Sequence, residues 1–147
     1  MECALALAQQ AQTSAEVPVG AVVVLNNEII GQGYNQPIGL HDPSAHAEVM
    51  AIRDAAESIR NYRLTNASLY VTLEPCIMCA GAILHARIAR LVYAARDDKF
   101  GAAGSALNLL ESPFLNHQCK VVAGVGADRS SELLKAFFTT RRAEQPG

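Results

Sequence analysis

Short β-branched segments that alternate with amphipathic stretches constrain this chain more than any other feature. Val19–Leu25 is apolar and β-branched. Asn26-Asn27 is a turn signal, and Glu28–Tyr34 can return as the second arm of a hairpin. From there the pattern switches. Asp42-Pro43 has the form of an N-cap followed by proline in a first helical turn. Ala45, Val49, Ile52, Ala56 and Ile59 then step by 4, 3, 4 and 3 residues, the stripe of a helix packed on a core. Ser68–Leu73 is a strand, Glu74-Pro75 opens a helix with a narrow face of Ile77, Ala80, Gly81 and Leu84, and Arg90–Ala95 is a strand. Residues 96–118 form a connector long enough to suggest function. Lys120–Val125 reads as a further strand. Ser131–Arg142 reads as a closing helix with Leu133, Leu134, Phe137 and Phe138 facing in. A first helix over residues 2–12 completes the set. Such alternation predicts an α/β, three-layer α/β/α domain over residues 1–147, with a mixed sheet of about five strands.

At 147 residues a chain can bury roughly 70% of its unfolded surface, so one core suffices without disulfides. Charged residues make up 18% and the net charge is −2, which excludes a disordered polyelectrolyte and argues against an extended nucleic-acid-coating surface, while a local basic patch can still hold a phosphate backbone. No run approaches the roughly 18 apolar residues of a membrane span. The apolar run Cys3–Ala8 follows Glu2 instead of a basic segment, so it reads as an amphipathic helix and not a secretory signal. The expected location is cytoplasmic, where four cysteines are thiols or metal ligands.

Chemistry concentrates in two short motifs at consecutive helix starts, His46-Ala47-Glu48 and Pro75-Cys76-Ile77-Met78-Cys79. Cysteines at i and i+3 share a helix face and can reach one ion. A helix N-terminus favours thiolates, the form a metal binds. One His and two Cys give zinc a ligand set open at the fourth tetrahedral corner, as in catalytic sites. Two thiolates neutralise the dication, so a nearby base becomes useful, and Glu48 is the candidate. On a regular helix Glu48 would point away from His46; the pair can converge only where the first turn begins. Taken alone, Cys-x-x-Cys is also compatible with a redox pair or a structural zinc site. A structural site needs another ligand, for which Cys3, His41, His85, His117 and Cys119 are candidates.

Together the two motifs resemble the cytidine-deaminase-like superfamily, whose signature is H-x-E…P-C-x-x-C. Within it, the chain is similar to the tRNA-specific adenosine deaminases. The likeness extends over Glu16–Ala21, Gly33-Tyr34-Asn35, His41–Glu48, Asn61–Leu64, Leu69–Ala82, Arg96-Asp97, Gly101–Ser105 and Phe137-Phe138. It implies one zinc per subunit held by His46, Cys76 and Cys79, with Glu48 as proton shuttle, and a homodimer with active sites bordering the interface. The implied reaction converts adenosine to inosine at the wobble position of a tRNA anticodon. By the same resemblance Asn35 holds the flipped nucleotide, and Asp97 and Lys99 contact neighbouring anticodon-loop nucleotides. Phe138 and Arg141 act at the rim, and the Ala47 N–H and the carbonyl near Glu74-Pro75 meet the base edge. The ending Ala143–Gly147 departs from the basic tail common in such proteins, so fewer residues would carry the electrostatic part of RNA affinity. Two rival readings are a deaminase of a free base, nucleoside or nucleotide and a structural zinc module that binds RNA or protein.

Overall fold

The computed structural model describes residues 1–144. Gln145–Gly147, the end of the non-basic tail, lie outside the described residues. The elements run α1 (Glu2–Thr13), β1 (Gly20–Leu25), β2 (Glu28–Tyr34), α2 (Pro37–Leu40), α3 (Ala47–Ile59), β3 (Ser68–Leu73), α4 (Ile77–His85), β4 (Arg90–Ala95), β5 (Lys120–Ala123) and α5 (Ala127–Glu144). One five-stranded sheet has the order β2-β1-β3-β4-β5. β1 is antiparallel to β2 and to β3, whereas β3, β4 and β5 are parallel. Helices α3 and α4 cover one face, and α1 and α5 the other. The expected three-layer α/β/α fold with a mixed sheet is therefore present.

The hairpin turns where it was read. Asn26 and Asn27 both take positive φ, at 52° and 64°, the pairing a two-residue type I′ turn requires. Its second strand carries Gly31 and Gly33 because α3 lies directly on the backbone there. A Cβ on Gly33 would stand 2.6 Å from the Ala51 nitrogen and from the Met50 Cβ. This close approach fixes the height of α3 over the sheet and hence the position of its N-terminus.

Several boundaries differ from the sequence reading. Asp42-Pro43 does not cap a helix. The Asp42 carboxylate accepts the Ser44 N–H at 2.9 Å and the Ser44 hydroxyl at 2.7 Å. This Asx turn competes with helix formation, and α3 begins only at Ala47, with His46 as its N-cap. Glu74-Pro75 likewise stays extended, and α4 begins at Ile77 after Cys76. The short α2 lies between β2 and the Asx turn, with Pro37 in its first turn. β5 stops at Ala123 because Gly124 turns the chain at φ 91°. α5 starts at Ala127, earlier than expected, and presents Phe137 to the core but leaves Phe138 46% exposed.

The main core lies on the α3/α4 face of the sheet, where Ala51, Ala55, Leu64, Leu69, Val71, Ile83, Ile88 and Leu91 are buried. The long connector contributes too. Ala102, Ala103, Leu110 and Cys119 are buried in that core, so the irregular segment 96–119 is anchored to it at these points.

Candidate metal centre and active site

The late start of both helices builds the site. His46 sits before α3 in an extended conformation, φ −75° and ψ 154°, and Glu48 lies in the first turn. Because the chain bends between them, both side chains line one cavity. Cys76 repeats the arrangement before α4, φ −77° and ψ 179°. Its sulfur thereby stands beside the first turn of α4, which carries Cys79. The α3 end is capped from outside. Asn35, just after β2, accepts the Ala47 N–H on its side-chain oxygen at 2.8 Å.

His46 Nδ1 lies 3.6 Å from the Cys76 sulfur and 3.5 Å from the Cys79 sulfur. A tetrahedral zinc with ordinary Zn–N and Zn–S lengths spans an N···S edge of about 3.6 Å. Both N···S edges already match, and all three atoms lie within 4.8 Å of one another. Among the described residues, His46, Cys76 and Cys79 form the one group of three or more potential ligands. Cys3, His41, His85, His117 and Cys119 stand outside it, so none of them closes a fourth corner. Glu48 is also outside the ligand triangle while opening on the same cavity.

Electrostatics match this division of labour. The Cys79 thiol donates to Cys76, which together with His46 drops Cys76 to a pKa of about 3. Cys79 is raised well above the ordinary thiol range by the same hydrogen bond and by burial. Its hydrogen bond to Cys76 raises His46, against the opposing effect of burial. Metal binding favours deprotonated ligands and so expels the proton the cysteine pair shares. Burial pushes the Glu48 carboxyl up to about 7, with its own backbone N–H opposing and the Cys76 sulfur reinforcing the shift. A carboxyl titrating near neutrality suits proton transfer in both directions.

The cavity, about 310 Å³, is lined by Val19, Asn35, His46, Glu48, Leu73, Glu74, Cys76, Asp97 and Phe100. That is the small end of the range for ligand sites, about 300–1,000 Å³. It lies at the carboxyl end of β3, where ligands of open α/β sheets bind. Of the residues anticipated for substrate, Asn35 and Asp97 line it. Ala47 lies behind the wall, its N–H engaged by Asn35. The Pro75 carbonyl accepts the Ala102 N–H at 2.8 Å. Lys99, Phe138 and Arg141 are not in the lining. Arg141 stacks over the Phe137 ring at 5.4 Å and donates to the Ala15 carbonyl.

Glu74 also lines the cavity and organises the loop beside it, which its local sequence does not signal. Its buried carboxylate accepts the N–H groups of Asp97 (3.2 Å), Ala103 (3.0 Å) and Ser105 (3.0 Å), and the Ser105 hydroxyl. It thereby folds the 97–105 loop back onto the metal helix. Burial pushes its pKa up, but these hydrogen bonds outweigh that and hold it below the ordinary carboxylate value. The charged form is favoured by folding. Its stabilisation is complete above the unfolded pKa of about 4.3 and is lost as pH falls through the lower folded value. Glu74→Ala strands the donors and is expected to cost about 3 kcal/mol or more. Hydrogen exchange should show faster exchange in residues 97–105, and the variant's stability should lose this dependence on acid pH.

The comparisons agree with this geometry. The model of the cytidine and deoxycytidylate deaminase zinc-binding region matches residues 1–95. A tRNA-specific adenosine deaminase of Haemophilus influenzae is 51% identical over 146 residues, covering 99% of this chain and 84% of the relative. One of Bacillus subtilis is 41% identical over 145 residues, covering 99% of this chain and 90% of the relative. A structure solved in work on A-to-I editing by tRNA:A34 deaminases at the wobble position of transfer RNA superposes with a TM-score of 0.88. It is 46% identical, over 91% of this chain and 97% of that one. A guanine deaminase structure from Bacillus subtilis is 32% identical with a TM-score of 0.64, over 95% of this chain and 90% of the other. The chain belongs to the zinc-binding cytidine and deoxycytidylate deaminase family and groups with its tRNA-specific adenosine deaminases.

Proposed function

We propose that this chain hydrolytically deaminates adenosine to inosine at the wobble position of a tRNA anticodon, as a single catalytic domain. The observation that carries the reading is the ligand triangle of His46, Cys76 and Cys79 opening, together with Glu48, on one small cavity. Relatives sharing up to half of the sequence supply the substrate class.

Zinc held by His46, Cys76 and Cys79 would supply Lewis acidity that makes water nucleophilic at neutral pH. Glu48 takes a proton from the attacking water and passes it to the ring nitrogen next to the reacting carbon; it then takes the remaining proton of the added hydroxyl and delivers it to the amine, which leaves as ammonia while the carbonyl forms. Burial of Glu48 keeps bulk water from exchanging those protons. Asn35 holds the α3 terminus through its side-chain oxygen, leaving its amide group for a substrate contact. Asp97 stands at the mouth, with Lys99, Phe138 and Arg141 proposed to act farther out. A loop nucleotide leaves its stack at lower cost than one in a duplex, which favours an anticodon loop as partner.

A homodimer and a cytoplasmic location complete the reading. An apolar seam of Val49, Ile52, Ala56, Ala82 and Ala86 runs between α3 and α4 and supports self-association. Ile77, 62% exposed beside the metal cysteines, adds to the apolar surface. Sedimentation velocity checks it. No helix among the described residues is long and apolar enough to cross a membrane, and thiol ligands suit a reducing compartment.

Incubation with total tRNA, followed by reading adenosine-to-inosine changes, tests the function. Inosine confined to the anticodon wobble position is the expected result. Ammonia released from free guanine, cytosine or a nucleoside, with tRNA untouched, would replace this reading with the free-base one.

A further inference from the structure

Phe100 stands out as the one large apolar side chain that lines the catalytic cavity yet is 70% exposed. Burying such a ring is worth about 1.5–3 kcal/mol, which the fold forgoes here. The chain is also sparing with aromatics. It has four phenylalanines and no tryptophan, and Phe137 alone of the four is buried. Phe100 is nonetheless held firmly. Its N–H donates to the Asp97 carboxylate at 3.1 Å, beside the Lys99 N–H at 3.2 Å. The Gly101 N–H closes the turn on the Asp97 carbonyl at 2.8 Å. Both ends of the turn are pinned to the segment ahead of the metal helix: the Asp97 N–H by the Glu74 carboxylate, the Ala102 N–H by the Pro75 carbonyl. Gly101 packs so tightly there that a Cβ would stand 2.4 Å from the Glu74 carboxyl carbon. These bonds fix the backbone from which the ring projects at the mouth of the cavity.

We propose that Phe100 is a stacking platform at the mouth of the site, receiving the base next to the adenosine that enters the cavity. The inference rests on the RNA-deaminase reading and adds a specificity element to it. A nucleobase is the occupant that fits. Extrusion of the target leaves its neighbour with one face unstacked, and a ring carried on an already ordered turn offers that face a partner without the cost of ordering the backbone. An aliphatic residue would cover the same area but has no π-face to stack on the base.

Binding and turnover are to be measured on an anticodon stem-loop with 2-aminopurine placed on either side of the target, using the full chain and its F100A, F100L and F100W variants. F100A should weaken RNA binding about 5-fold to 150-fold, the loss expected from one base–aromatic stack. Its KM should rise while kcat at saturating RNA stays near wild type. F100W should restore binding and F100L should not. Quenching of 2-aminopurine at one flanking position should appear with the wild type and F100W and vanish with F100A. Equal RNA affinity in F100A, or rescue by F100L as complete as by F100W, overturns the platform while leaving the deaminase reading intact. A wild-type chain that neither binds nor deaminates the stem-loop overturns both.

Discussion

Glu48→Gln is expected to lower the rate of deamination by about 10²–10⁴, the usual contribution of a positioned general acid–base group, while zinc content stays at one per chain. The substitution keeps the size of a side chain that is only 4% exposed, so the cavity retains its shape. What changes is the capacity to accept a proton from water and return it to the base. All three ligands remain, so metal binding persists. Stability gives a second, opposite signature. Burial disfavours the charged form of Glu48 strongly enough to lift its pKa to about 7. A neutral amide escapes that penalty, so the variant should be no less stable than wild type, as when a functional group is removed from a site that strains for it. Zinc analysis, thermal unfolding and single-turnover inosine formation on one preparation check the three parts. Turnover by Glu48→Gln at a rate close to wild type would show that another group carries the proton.

The strands, the hairpin turn and the helix stripes could be read in the sequence because they depend on local periodicity. Asn26-Asn27 and the Ser68–Leu73 and Arg90–Ala95 strands are found where their residue types put them. The metal triad could be read for a different reason, since two spaced motifs at helix starts leave few other arrangements. Helix starts were less legible. Asp42-Pro43 and Glu74-Pro75 both look like caps, yet each acid has a stronger use elsewhere: Asp42 in an Asx turn, Glu74 as acceptor for a segment more than twenty residues away. That second use is invisible locally because the 97–105 loop must first fold back. Phe100 was missed for the same reason. The shift of both starts is what makes the site work, since His46 and Cys76 are extended caps and can turn toward Glu48 and Cys79. The Ala47 N–H, anticipated at the base edge, is already satisfied by Asn35.

Cys79→Ala should lose the metal and, with it, the part of the stability that the metal confers. Cys79 is fully buried in the first turn of α4, and its partners His46 and Cys76 come from two different elements. An ion bound by all three therefore ties α3 to α4 and stabilises only the folded chain. With free zinc about 1,000-fold above its dissociation constant, that linkage is worth about 4 kcal/mol. In a domain of roughly 150 residues this corresponds to a shift of about 8–16 °C in Tm. Linkage of metal binding to folding sets a pattern as well as a size. The Tm of wild type should climb with free zinc and fall on chelation, whereas that of Cys79→Ala should stay flat across the same titration. In chelator the gap should shrink to a zinc-independent remainder of about 1–3 kcal/mol, the cost of removing a buried thiol that donates to Cys76. If Cys79→Ala keeps full zinc, or if its Tm follows the zinc concentration as wild type does, the third ligand is a different residue and the triangle has been drawn wrongly.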